Sequence, residues 1–183
     1  RFRRSIGYEL VRVGASRGSR TGEPTAVMLY PVSARARQLL EELRGDLARE
    51  LPVQLVLQAA DSPLPLDPVL TSALLAELPE PSVQGYEKMA LAVAAFAHGP
   101  RTLESVVTAL HHFVTTHEDA LNTMPETQRT LIRTRILEHR GWVDVMHLAN
   151  FGTIPATMRA ARRAVRALAD QVAPELKALK PPR

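Results

Sequence analysis

Cysteine is absent from this sequence of 183 residues, and aromatic residues make up only 4% of it. The missing cysteine excludes disulfides, thiolate metal sites and cysteine nucleophiles. No apolar run approaches the roughly 20 residues that a membrane-spanning helix needs, and no signal-peptide pattern opens the sequence. From these absences we expect a soluble, cytoplasmic protein.

Positive charge is unevenly distributed along the chain. The formal net charge of +4 comprises +4 over residues 1–30, −4 over residues 31–100 and +4 over residues 101–183. Of the 23 basic residues 20 are arginine, whose planar guanidinium suits bidentate phosphate contact, although GC-rich coding would give the same bias. An anionic partner is therefore expected at the basic ends.

The first 60 residues predict a small β-β-α-β unit. Alternating apolar residues indicate strands at residues 7–14 and 26–32, and the glycine-rich, basic stretch between them indicates a long hairpin loop. Leucines at helical spacing predict a helix over residues 34–50, capped by Ser33 and ended by Pro52. The short β-branched run at residues 53–58 then predicts a third strand.

The rest of the chain predicts helices without further strands. Residues 61–82 are rich in proline and predict a connector, in which Asp67 and Pro68 can start a short helix ending at Leu78. Residues 83–183 predict a helical domain of about six helices, at 84–98, 102–115, 117–123, 126–140, 143–151 and 155–173. The predicted fold class is α+β, mostly α.

The final predicted helix separates an arginine stripe from an apolar stripe. Met158, Ala161, Val165, Leu168 and Val172 share one face at 100° per residue. A separate face carries Arg159, Arg162, Arg163 and Arg166, and no acidic residue lies between Pro155 and Ala169. A solvated helix face usually mixes both signs of charge, so this stripe indicates a docking surface for an anion.

From Trp142 onwards the sequence WVDVMHLANFGTIPATMRAARRAV resembles a helix-turn-helix DNA-binding module, with its turn at Gly152 and the resemblance extending over residues 129–168. In such modules the second helix enters the major groove. The resemblance implies base-facing positions at Thr153, Ala156, Thr157 and Arg159, and phosphate or base contacts by Arg162, Arg163 and Arg166. The preceding helix, which carries Arg129, Arg133 and Arg140, would be the supporting first helix of the module. In helix-turn-helix modules three residues usually separate a small residue of the helix from the glycine of the turn, whereas here two residues separate Ala149 from Gly152.

These patterns favour a nucleic-acid-binding protein without enzymatic activity, with DNA favoured over RNA. Arg17 and Arg20 in the hairpin loop, with Arg1, Arg3, Arg4 and Arg12, would add phosphate contacts. The alternative is a helical interaction or oligomerisation module whose arginine stripe meets an acidic protein surface or a second copy of the chain. No catalytic motif is recognisable, no cofactor is implied, and His111, His112 and His117 lack the spacing of a metal site.

Overall fold

The computed structural model describes residues 5–17, 24–62, 64, 66–81 and 85–179. It confirms an α+β chain that is mostly helical, with one two-stranded antiparallel sheet near the beginning. The chain divides into two compact units, an N-terminal unit of residues 1–59 and 64–83 and a C-terminal unit of residues 60–63 and 84–183. None of the helices in the described ranges is both long and apolar enough to cross a membrane.

In its described residues the N-terminal unit contains two paired strands and the helices α1 and α2. Strand β1 spans Glu9–Arg17 and pairs with β2, Pro24–Leu29, so that Leu10 lies opposite Met28 and Val13 opposite Ala26. Helix α1 spans Ala34–Ala60, and α2 spans Pro68–Leu75. The core of the unit is formed by leucines of α1 packed against β1, namely Leu47, Leu51 and Leu55 around Val13.

Two predicted helix starts in this unit are confirmed. Ser33 caps α1, since its Oγ accepts from the backbone N–H of Ala36 at 3.1 Å. Asp67 caps α2, since its Oδ1 accepts from the N–H of Val69 at 2.8 Å. Both side chains satisfy backbone donors that the first turn of a helix leaves without partners.

The predicted third strand at residues 53–58 is wrong, because these residues continue α1 to Ala60. The buried side chains there recur at helical spacing, as Leu51, Gln54, Leu55 and Gln58. Pro52 lies inside the helix and does not end it. A short apolar run fits a buried strand or a buried helix equally well by periodicity, and packing against the hairpin decided for the helix here.

Over residues 85–179 the C-terminal unit contains six α-helices joined by short turns. They are α3 (Tyr86–Ala97), α4 (Val107–Thr116), α5 (Glu118–Thr123), α6 (Glu126–Ile132), α7 (Trp142–Leu148) and α8 (Ile154–Val172). A 3₁₀ turn, Leu103–Ser105, precedes α4, and α6 continues into a π-helical segment at Arg133–Leu137. A second 3₁₀ turn, Pro174–Ala178, follows α8.

Helices α3 and α4 pack against each other, as their facing apolar stripes predict. Leu110 and Val114 of α4 are fully buried, and Val93 of α3 is only 1% exposed. Helix α4 begins at Val107, later than predicted, because Leu103–Ser105 forms the 3₁₀ turn. Helix α8 contacts α3, α6 and α7, so its orientation is fixed on several sides.

Candidate nucleic-acid interface

Helix α8 is held by a well-formed first turn and an alanine-rich buried face. The Oγ1 of Thr153 accepts from the backbone N–H of Ala156 at 3.4 Å, and Pro155 occupies the first turn, where its missing N–H costs nothing. Ala161, Val165 and Leu168 are buried as predicted. Met158, which the sequence placed on the apolar stripe, is 40% exposed.

Arg159 and Arg163 project into solvent on the face of α8 opposite its core. They are four residues apart, which places their Cβ atoms about 5–6 Å from each other on one side of the helix. Neither side chain has a hydrogen bond or an ion pair to any residue in the described ranges. These two guanidinium groups are therefore available to an external anion.

Arg162 is directed towards the end of α3 instead. Its guanidinium donates to the carbonyls of Phe96 and Gly99 at 2.6 Å each and to the carbonyl of Arg101 at 2.6 Å. Those carbonyls belong to the last turn of α3 and the loop after it, where a helix leaves its acceptors without partners. Burial lowers the pKa of the Arg162 guanidinium, and the positive charge of the neighbouring Arg166 lowers it further. The negative charge of Glu104 acts in the other direction and raises it. The group remains a cation.

Arg166 contacts the protein with part of its side chain and is otherwise exposed to solvent. Its Nε donates to the carbonyl of Ala97 at 2.7 Å, while the residue as a whole remains exposed. Arg162 and Arg166 together cap α3 through a positive charge near the negative end of its dipole. The arginine stripe therefore comprises two sets: Arg162 and Arg166 bind carbonyls of α3 and the loop after it, whereas Arg159 and Arg163 have no partner among the residues that the structure describes.

Thr157 is fully buried, and its hydroxyl donates to the carbonyl of Thr153 at 2.9 Å. This position corrects the expectation that Thr157 faces a base. Thr153 is exposed, but its hydroxyl oxygen is the cap of α8. The exposed start of the helix consequently offers Pro155, half-buried Ala156 and Met158, which carry no side-chain hydrogen-bonding group for reading base edges.

The arginines of the predicted supporting helix are used within the protein. Arg129 donates to the carbonyl of Asn122 at 3.1 Å, and Arg133 donates to the side-chain oxygen of Asn122 at 2.7 Å. Arg133 also lies 3.7 Å from Glu118, and Arg140 pairs with Glu138 at 2.6 Å. The two contacts with Asn122 cap the end of α5, while the carboxylates of Glu118 and Glu138 offset the charges of Arg133 and Arg140.

Of the N-terminal arginines, Arg17 lies in β1 with its side chain outside the described part of the structure. Arg20, Arg1, Arg3 and Arg4 lie outside the described residues. Arg12 is exposed on β1. Their predicted phosphate contacts stay predictions.

The turn between α7 and α8 is built differently from the sequence expectation. The left-handed residue is Asn150, with φ of 55°, and Gly152 has no positive φ and no neighbouring atom that a Cβ would meet. Asparagine is one of the few side chains that tolerates this conformation. Gly152 is thus not required by the backbone of the turn, and the resemblance to a helix-turn-helix stays a prediction.

The three histidines considered for a metal site have separate surroundings. His111 packs its ring on that of His139, 5.7 Å away, while His117 contacts the carbonyl of Phe113 at 2.8 Å. His112 lies near the hydroxyl of Thr116 at 3.4 Å. Within the described ranges no group of three potential ligands could hold a metal ion. A nearby apolar cavity bounded by α3 and α4 measures about 50 Å³, far below the roughly 300 Å³ at which ligand pockets begin.

Sequence reasoning missed a buried ionic cluster around Arg135. Its side chain is fully buried, donates to both carboxylate oxygens of Asp61 at 3.1 and 2.7 Å, and donates to Glu104 at 3.0 Å. The guanidinium also lies over the ring of Trp142, 4.4 Å from its centre. Because 74 residues separate Asp61 from Arg135, no local pattern links them. The cluster anchors the π-helical segment, to which Arg135 belongs.

No protein-family model matches the chain, and no curated protein is significantly similar to it.

Proposed function

We propose that this protein is a non-enzymatic DNA-binding protein that contacts the phosphate backbone of duplex DNA through Arg159 and Arg163 of α8. The observation that supports this proposal is the difference between neighbouring arginines on one helix. Arg162 and Arg166 are held by carbonyls of α3, whereas Arg159 and Arg163 are exposed and have no partner among the described residues. A pair of unpartnered cations on a rigid helix favours a fixed polyanion.

The spacing of the two arginines suits consecutive phosphates. Residues four apart on a helix differ by about 6 Å along its axis, and each arginine side chain can move its guanidinium by several ångströms. Arginine binds phosphate through two parallel N–H donors, so two such residues give both charge and orientation. The exposed remainder of Arg166 extends the same face by one further turn.

Binding of this kind would depend weakly on DNA sequence. Of the side chains expected to face bases, Thr157 is buried and the hydroxyl of Thr153 caps α8, which leaves Arg159 as the remaining hydrogen-bond donor. Phosphate contacts position a protein on the duplex without carrying sequence information. The protein is accordingly proposed to recognise duplex shape and charge and not a specific base sequence.

The experiment is a fluorescence-anisotropy titration of a labelled duplex with the full chain. The variant Arg159→Ala/Arg163→Ala should raise Kd by about tenfold or more, since each lost contact between charged groups contributes about 1 kcal/mol or more. The matched control is Arg35→Ala/Arg37→Ala, which removes two exposed arginines from α1 and so changes the net charge equally. Equal weakening by both double variants would show that net charge alone, and not the face of α8, attracts DNA.

A second candidate function is docking of α8 onto an acidic protein surface. The observation that favours it is Met158, 40% exposed next to Arg159 in the sequence, because methionine is enriched at protein interfaces and has no use in phosphate contact. The variant Met158→Ser separates the two candidates. It should leave duplex affinity unchanged if the face binds phosphates, and should weaken a protein complex if the face binds protein.

A further inference from the structure

The hairpin of the N-terminal unit has two edges of very different character. Among the described residues the sheet has two strands, so the outer edge of β2 has no strand partner. Val27 and Leu29 of β2 are 49% and 37% exposed, although strands that carry such residues usually pair. A two-stranded sheet gains stability from packing against a helix, as β1 does against α1, and a further strand would add to it.

The outer edge of β2 lacks the charged side chains with which proteins commonly protect an open edge. No charged residue occurs from Pro24 to Ala34. Charged side chains, above all lysine, are the usual protection against pairing with another strand. Strand β1 differs, since it carries Glu9, which pairs with Arg44, and the exposed Arg12. In addition, Gln58 of α1 donates to the β1 carbonyl of Gly14 at 2.7 Å.

We infer that β2 pairs with β2 of a second copy of this chain, antiparallel and about a two-fold axis, to form a continuous four-stranded sheet. A second copy fits because identical uncharged strands meet without placing like charges opposite each other in any register. Prolines at positions 24 and 31 lack an N–H and confine the pairing to the residues between them. The contact is isologous and occupies the β2 edge of each copy, so the assembly stops at a dimer and does not grow into a fibre.

The strength of this dimer and its response to salt follow from the same residues. A single pair of short strands buries less than the roughly 1,200 Å² of a stable interface, so the dimer should dissociate on dilution. Residues 1–30 carry a net charge of +4, and two hairpins therefore repel each other weakly. Added salt screens that repulsion and should strengthen the dimer, whereas salt weakens the binding of a polyanion.

Sedimentation velocity across a range of protein concentration measures the association. We expect a monomer–dimer equilibrium whose dissociation constant rises by about tenfold in Val27→Lys, because each change counts twice in a symmetric contact. The control is Val56→Lys, a valine of α1 in the same unit that is 52% exposed, which should leave the constant unchanged. A monomer at every concentration, or equal weakening by both variants, would overturn the inference.

Cysteine crosslinking locates the contact without relying on a variant that weakens it. The native chain has no cysteine, so a cysteine placed singly at each position from Thr25 to Leu29 supplies one thiol per copy. Pairing about a two-fold axis brings one of these positions opposite its own counterpart, close enough for a disulfide. That position should crosslink fastest, and Val56→Cys should crosslink slowly. Crosslinking that is equally slow at all five strand positions would contradict the paired strand, even if a dimer forms. The inference is independent of the DNA-binding proposal.

Discussion

Arg162 and Phe96 are joined twice, once through the ring and once through the backbone. The guanidinium of Arg162 lies 4.6 Å from the centre of the Phe96 ring, and one of its N–H groups donates to the carbonyl of the same residue at 2.6 Å. This contact anchors the middle of α8 to the end of α3. It also separates the arginines that hold the helix in place from those that face solvent.

The adjacent residues Arg162 and Arg163 should differ in their effect on stability. Arg162→Ala leaves carbonyls at the end of α3 without donors and should lower the free energy of unfolding by about 2–3 kcal/mol. Arg163→Ala removes an exposed group without a partner and should change it by less than about 0.5 kcal/mol. Urea unfolding followed by circular dichroism measures both. Similar losses in the two variants would mean that the contacts of Arg162 contribute little.

Removal of Arg135 should be the most damaging single change in the C-terminal unit. Arg135→Met keeps the apolar volume but leaves Asp61 and Glu104 facing each other in a mostly buried site. Loss of one partner from a buried ion pair costs about 3–5 kcal/mol. Addition of Asp61→Asn and Glu104→Gln to Arg135→Met should restore part of that loss in chemical denaturation. If the triple variant is no more stable than Arg135→Met, repulsion between the carboxylates is not the cause.

Acidification should destabilise the protein partly through His139. Burial, and next the charges of His111 and Arg135, lower the pKa of His139 from its ordinary value of 6.5. The unfolded chain therefore binds more protons below that pH than the folded protein does, so stability falls as the pH falls. His139→Asn should reduce the loss of Tm between neutral and mildly acidic pH. Asparagine tolerates the left-handed backbone, φ of 55°, that His139 adopts. An unchanged pH dependence in this variant would contradict the assignment.

Pro52 should reduce the stability of α1. A proline within a helix deprives the carbonyl four residues earlier, at Ala48, of its donor. The proline is exposed, so Pro52→Ala restores that bond without disturbing the packing of Leu51 and Leu55. We expect a gain of about 1 kcal/mol in unfolding free energy, less than the full helix penalty because proline also restricts the unfolded chain. No gain on thermal unfolding would mean that α1 has relaxed fully around the proline.

Local signals in the sequence predicted the helices well and their partners poorly. The Ser33 and Asp67 caps are local features that the structure confirms, as it does the burial of Ala161, Val165 and Leu168 on the apolar face of α8. The predicted third strand was wrong because the apolar pattern of residues 53–58 fits a strand and a helix equally well. Pro52 predicts the end of α1, whereas the packing of its neighbours keeps these residues helical.

Within the candidate site, the sequence could place Arg159, Arg162, Arg163 and Arg166 on one helix but could not say which of them have partners. Their helical spacing is local, whereas the carbonyls that bind Arg162 lie more than 60 residues earlier in the chain. The burial of Thr157 could not be predicted for the same reason, because helices distant in the sequence determine which residues of α8 are buried.

The salt dependence of duplex binding tests the central proposal most directly. If Arg159 and Arg163 each neutralise one phosphate, their removal should flatten the slope of log K against log salt concentration by about 1.8. Arg159→Lys/Arg163→Lys, which keeps both charges, should retain most of that slope. A slope that is the same in the native chain and in Arg159→Ala/Arg163→Ala would contradict phosphate contact by this face of α8.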